Sequence, residues 1–317
     1  MLKLLITRKL PDPVLDKARE VFDVTVRDNT SPVGHDELVS SLRDYDVVLP
    51  TLGDAYSADV FDAVDAPRAK LLANFGVGYN HIDVSAARSA GIEVTNTPGA
   101  VTDATADIAL TLMLMTCRRA GEGERLVRAG KWEGWHPTQL LGLHMSGKTL
   151  GVVGMGRIGQ AIAQRAHFGF GMEVKFYNRS RKDMPFPAEQ VADLVQLAAQ
   201  VDVLVIAVPG GAETRHLINA PILQAMQSHA HLVNIARGDI VKEDDLIAAL
   251  SEKQIAGAGL DVYEFEPKVP QAFIDMENVT LLPHLGTAAL EVRTAMGLMA
   301  VDNAIAFANQ DPLPNAV

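Results

Sequence analysis

Three stretches of this sequence run from apolar, strand-like residues into a polar group: NIARGDIV at 234–241, GLDVYEFEPKVP at 259–270 and LLPHLGTAA at 281–289. The groups are Arg237, Glu266 and His284. Arginine keeps its charge and presents a planar fork of donors, which suits a carboxylate. Histidine gives and takes a proton near neutral pH. Open α/β sheets build their sites at the carboxyl ends of strands, so this trio suggests a carboxylate anchor and a proton donor with an acidic partner. Pattern alone leaves a plainer reading open, because an arginine after a strand is usually a surface charge and a lone histidine more often a packing residue.

A second constellation is more specific. TLGVVGMGRIGQAIAQRA places Gly154, Gly156 and Gly159 in G-x-G-x-x-G spacing between an apolar strand and a helical pattern. The first glycine permits a tight turn, the second lets the backbone approach a pyrophosphate, and the third lets helix pack on strand. Arg157 and Ile158 open the helix, whose free N–H groups and positive dipole end suit phosphates. In such units the second strand ends in an acid that binds the ribose hydroxyls of NAD. Here VKFYN ends at Asn178 and is followed by Arg179, Ser180, Arg181 and Lys182. A neutral residue and three cations would surround a 2′-phosphate, so the expected cofactor is NADP(H), with NAD(H) the alternative and a solvated basic loop the structural one.

These groups need a frame. Short apolar runs recur at 3–7, 22–26, 46–50, 70–75 and 92–96, and again at 149–154, 174–178, 202–208, 231–236, 256–262 and 279–284, with helical stretches between them. Continuous hydrophobic strands alternating with helices indicate parallel sheets covered on both faces, and two series indicate two doubly wound α/β units. NTPGAVTDATADIALTLMLMTCRRA carries a cap candidate at Thr102 or Asp103 and then a helix apolar over most of its circumference. Residues 287–310 predict a further Ala/Met/Leu-rich helix. KWEGWHP at 131–137 is the most irregular piece and holds both tryptophans.

With 317 residues, 48% of them hydrophobic and 21% charged, the chain has enough apolar residues for sizeable cores. Its formal net charge of −11 argues against nucleic acid as the main partner. One cysteine, Cys117, allows no internal disulfide and fits a reducing compartment. The N-terminus is unlike a signal peptide and ALTLMLM is too short to span a bilayer, so no membrane partner and a cytoplasmic location are expected. No H-E-x-x-H or cysteine cluster appears, no metal is expected, and HAHLVN reads as a strand entry.

Six motifs in order, NFGVGYNHID, VTNTPGAVTDATADIAL, GKTLGVVGMGRIGQAIA, VNIARGDIV, GLDVYEFEP and PHLGTA, make the chain resemble the D-isomer-specific 2-hydroxyacid dehydrogenases over essentially its whole length, with glyoxylate/hydroxypyruvate reductases most similar. The resemblance implies a flavodoxin-like substrate domain, discontinuous over 1–98 and 287–317, a Rossmann cofactor domain over 99–286, and a cleft between them. It implies that Arg237 binds the carboxylate and carbonyl of a small 2-oxo acid, that His284 is the acid/base, and that Glu266 orients His284 and favours its protonated form. Val77 and Gly78 are implied as backbone donors to the carboxylate, Leu52 as an apolar neighbour of the substrate's small end, and Trp135 as a residue packed across a homodimer. Around the cofactor it implies Thr105, Val208, Pro209, Ala236, Asp261 and Gly286 beside the glycine loop. His81 is assigned no role. The implied activity is NADPH-dependent reduction of glyoxylate or hydroxypyruvate. Its rivals are an NAD-dependent D-2-hydroxyacid dehydrogenase acting on another 2-oxo acid and a non-catalytic dinucleotide-sensing protein.

Overall fold

The apolar runs become short parallel strands. In the computed structural model, which describes residues 1–317, the first five are β1 (Lys3–Ile6), β2 (Asp23–Val26), β3 (Val47–Leu49), β4 (Leu71–Ala73) and β5 (Glu93–Thr95). They form one parallel sheet in the order β2-β1-β3-β4-β5. This is the flavodoxin-like order, and its direction reverses between β1 and β3. β3 and β4 are buried along their whole length, as a sheet covered on both faces demands. The helix Asp12–Val21 covers one face, and the helix Leu290–Ala308 packs on it so closely that a Cβ on Gly297 would lie 2.6 Å from Val14 Cγ2. Ala316 pairs with Thr95 in an antiparallel bridge that covers the β5 edge.

The second sheet has seven strands: β6 (Thr149–Val153), β7 (Glu173–Tyr177), β8 (Glu189–Gln190), β9 (Val203–Ile206), β10 (His231–Asn234), β11 (Gly257–Leu260) and β12 (Val279–Leu281). The order is β12-β11-β10-β9-β6-β7-β8, all parallel, with the reversal between β6 and β9. That is the Rossmann arrangement, with one strand added beyond β11. The helix Thr102–Cys117 lies on this sheet, and Gly259 admits it: a Cβ there would lie 3.1 Å from Leu112 Cβ.

Two compact units result, Met1–Val101 with Thr287–Val317, and Thr102–Gly286. The first boundary lies at Val101 rather than 98. Thr102 is the first helical residue rather than the cap. The two-residue β8 was not expected, since two polar residues carry no strand pattern. No helix is long and apolar enough to cross a membrane.

Candidate active site

The glycine loop turns off the end of β6 at the reversal of the second sheet. Gly154 has φ +100°, and a Cβ there would lie 2.7 Å from Val208 Cγ1 and 2.9 Å from the Ala207 carbonyl. A Cβ on Gly159 would fall 2.1 Å from the Gly154 carbonyl oxygen, so only glycine lets the helix Arg157–Phe170 start this near the strand. Gly156 is different: a Cβ there meets nothing within 4 Å. The protein leaves that space open above the helix start, where Arg157 and Ile158 have N–H groups that no preceding helical turn can accept. Crowded glycines on the protein side and an open one on the other form a cradle that fits a dinucleotide pyrophosphate.

Asn178 follows β7 and organises its surroundings. Its Oδ1 accepts the Met155 N–H at 3.2 Å, while its Nδ2 donates to the Ser180 carbonyl at 2.8 Å and to Ser180 Oγ at 3.1 Å. Gln190 of β8 donates to the Asn178 and Ser180 carbonyls at 3.0 and 3.1 Å and accepts the Lys182 N–H at 3.0 Å. The basic turn is therefore built. Arg179 is exposed and pairs with Glu213, and Arg181 lies 3.6 Å from Asp183.

The polar trio lies in the loops that follow β10, β11 and β12. Asn234, buried, donates to the Arg237 carbonyl at 2.9 Å and accepts the Ala236 N–H at 3.1 Å, which fixes the loop bearing Arg237. Gly238 is forced: a Cβ would lie 1.8 Å from the Tyr263 carbonyl carbon. Burial pushes the Arg237 guanidinium pKa down, and the nearby charges of Glu266 and Asp239 oppose that. His284 Nδ1 lies 2.9 Å from Glu266 Oε2, and Glu266 Oε1 accepts the Tyr263 N–H at 3.0 Å. Burial raises the Glu266 carboxyl, but the His284 bond, the His284 and Arg237 charges and the Tyr263 N–H outweigh it and hold the pKa below the usual value. His284 itself has φ +55°, an uncommon conformation for a non-glycine residue.

Asp261 fixes that turn. Its carboxylate accepts the N–H groups of Leu285 at 2.6 Å and Gly286 at 2.8 Å, and the Asp261 carbonyl accepts the His284 N–H at 2.9 Å. Burial raises the Asp261 pKa against those bonds and the His284 charge. Thr105 Oγ1 donates to the Gly286 carbonyl at 3.1 Å. Val208 and Pro209 follow β9 beside the glycine loop. One framework thus holds Arg237, Glu266, His284, Ala236, Asp261, Thr105 and Gly286.

In the first unit, Leu52 sits at the sheet reversal. Asp54, wholly buried, accepts Thr7 Oγ1 at 2.7 Å, the Thr51 N–H at 2.9 Å and the Val33 N–H at 3.1 Å, with Arg8 at 3.0 Å, and so locks the turn bearing Leu52. Thr51 bridges Phe75, which brings Leu52 beside the loop Gly76-Val77-Gly78. Leu52 and Val77 are exposed apolar residues. Trp135, at 80% exposure, stands out from the irregular segment after the helix Ala120–Arg128. His229 pairs with Asp202 at 2.6 Å.

The profile of the D-isomer-specific 2-hydroxyacid dehydrogenase NAD-binding domain matches residues 110–286. The glyoxylate reductase of Thermococcus kodakarensis is 43% identical over 99% of this chain and 96% of its own. The chain belongs to the D-isomer-specific 2-hydroxyacid dehydrogenase family. It is an NAD(P)-dependent oxidoreductase of that family. Solved structures superpose over full length: the TT0316 protein of Thermus thermophilus at TM-score 0.92 and 40% identity, both chains wholly covered. An NADPH-dependent glyoxylate/hydroxypyruvate reductase of Sinorhizobium meliloti gives TM-score 0.87 at 35% identity, covering 100% of this chain and 98% of its own.

Several supports of this dehydrogenase framework escaped the sequence reading. Asn234, Asp54, Gln190 and Asn74 each tie a loop whose residues are distant or whose role depends on a carbonyl direction. A polar residue directly after or within an apolar strand was the signal available for the two asparagines.

Proposed function

We propose that the chain reduces a small 2-oxo acid, glyoxylate to glycolate or hydroxypyruvate to D-glycerate, using NADPH in preference to NADH. The observation that carries this reading is the His284–Glu266 pair at 2.9 Å beside Arg237 in the framework of a Rossmann unit. The glyoxylate reductases and the NADPH-dependent reductase among its relatives support the substrate and cofactor class.

The cofactor would rest its pyrophosphate on Gly154, Gly156 and Gly159 and the N–H groups of Arg157 and Ile158, with Val208 and Pro209 alongside and Thr105, Ala236, Asp261 and Gly286 toward the nicotinamide. When bound, it supplies the hydride. Asn178 bears no charge to repel a 2′-phosphate, and Arg179, Ser180 and Arg181 offer it charge-assisted donors. Arg237 binds the substrate carboxylate and polarises the ketone oxygen, and the N–H groups of Val77 and Gly78 hold the carboxylate. His284, through Nε2, gives a proton to that oxygen as it becomes a hydroxyl, and takes it back in reverse. Glu266 at Nδ1 fixes the ring so that Nε2 is the reactive nitrogen. Leu52, held by the Asp54 turn, limits the substrate's small end.

The domains follow from these roles. Residues 1–101 and 287–317 supply the substrate unit with Leu52, Val77 and Gly78, and residues 102–286 hold the dinucleotide and carry Arg237, Glu266 and His284. The exposed Trp132 and Trp135 support a homodimer, which sedimentation would detect. Buried Cys117 supports a reducing, cytoplasmic setting.

Initial rates against cofactor concentration, with glyoxylate fixed, test the preference. NADPH is expected to be favoured, and Arg179→Asp to cost on the order of tenfold to a hundredfold in kcat/KM for NADPH with little change for NADH. Equal loss with both cofactors, or a wild-type preference for NADH, would make the basic turn an ordinary solvated loop.

A further inference from the structure

The loop after β4 holds two backbone donors that the chain does not use. Neither the Val77 nor the Gly78 N–H has an acceptor within the protein. In a trans peptide the N–H points opposite to the carbonyl of the same unit, so what ties the carbonyls aims the donors. The Gly76 carbonyl accepts Asn74 Nδ2 at 3.1 Å and the Thr97 N–H at 3.0 Å. The Val77 carbonyl accepts Asn96 Nδ2 at 3.0 Å. The Gly78 carbonyl accepts Asn74 Nδ2 at 3.1 Å. One side chain therefore ties both ends of the three-residue loop.

Asn74 is wholly buried, so its amide has no water to turn to. Carbonyls only accept, so its NH2 must face Gly76 and Gly78, and its Oδ1 is left for His81 Nε2 at 3.0 Å. For that contact to be a hydrogen bond, His81 must carry a proton on Nε2. His81 thereby prevents the amide from turning over, an exchange that would set Oδ1 against two carbonyl oxygens.

We propose that Asn74, with its amide oriented by His81, is a positioning residue that aims the Val77 donor at the substrate carboxylate and, by holding both ends of the loop, sets the span in which Asn96 aims the Gly78 donor; this rests on the proposed role of those two donors. Asn74 touches neither substrate nor cofactor. Its effect is confined to carboxylate recognition, and the dinucleotide loop belongs to the other unit.

The variant Asn74→Asp keeps the shape and replaces the donor by an oxygen. Its KM for glyoxylate should rise on the order of tenfold and inhibition by oxalate weaken in parallel, while NADPH affinity, read by fluorescence titration, stays unchanged. His81→Phe should raise KM in the same direction, and His81→Gln, which keeps a donor, should recover much of the loss. In the wild-type enzyme, selectively ¹⁵N-labelled Val77 and Gly78 amide resonances should shift on adding oxalate in the presence of NADP⁺. Resonances that respond while both Asn74→Asp and His81→Phe keep wild-type KM would overturn the positioning role alone. Silent resonances would overturn the carboxylate reading and this proposal with it. An NADPH affinity that falls as far as glyoxylate KM rises would show a general loss of structure, which also overturns it.

Discussion

Glu266 shows how one side chain is shaped by its neighbours. Burial works against its charge, yet His284, the Tyr263 N–H and Arg237 together keep its pKa below that of a free glutamate, so it is ionised wherever His284 needs a counter-ion. Replacing it by glutamine keeps a hydrogen-bonding group and removes the charge that stabilises a protonated ring. In Glu266→Gln the alkaline limb of the pH–rate profile for reduction should move to lower pH, because the proton to be donated is lost sooner. An unchanged limb, measured over a pH series at saturating cofactor, would remove Glu266 from the proton-donating pair. Arg237, Glu266 and His284 were legible because each stands at the end of an apolar run, where α/β sheets carry their chemistry. Asn74 and His81 were not, because their roles lie in which way a carbonyl faces.

At the scale of the element, β10 joins the site to its support. Its last residue, Asn234, clamps the Arg237 loop, and its first, His231, is buried at the opposite end. Burial pushes the His231 imidazole down to about 4, with His229 contributing in both directions. Above pH 6.5 the ring is neutral in folded and unfolded chains alike. As pH falls from about 6.5 toward 4, the unfolded chain takes up a proton that the folded one refuses, so stability is lost across that window by roughly 3 kcal/mol. Chemical denaturation at pH 7 and pH 4.5 should show a larger loss for the wild type than for His231→Leu; equal losses would mean that His231 is protonated in the fold. Strand positions were readable from apolar runs for eleven of twelve strands. β8 was not, because Glu189 and Gln190 pair with β7 for the sake of the basic turn rather than for burial.

At the scale of the whole molecule, both sheets reverse direction once, and candidate groups follow a strand that borders each reversal: Leu52 after β3, beside the Val77–Gly78 loop, in one sheet, and the glycine loop after β6 in the other. The doubly wound class could be read from two series of apolar runs, but strand order could not, since it depends on pairings between distant segments. Discontinuity was likewise invisible to local pattern. The helix Leu290–Ala308 joins the first unit because Gly297 admits Val14, a contact nearly the length of the chain apart. The most direct test of the proposed reaction is to mix the protein with NADPH and glyoxylate, follow NADPH oxidation, and quantify glycolate in the same samples beside His284→Gln. One glycolate should form per NADPH oxidised, with the variant slower by roughly 10²–10⁴-fold. No glyoxylate-dependent oxidation by the wild type, or a His284→Gln enzyme that turns over as fast, would contradict the assignment.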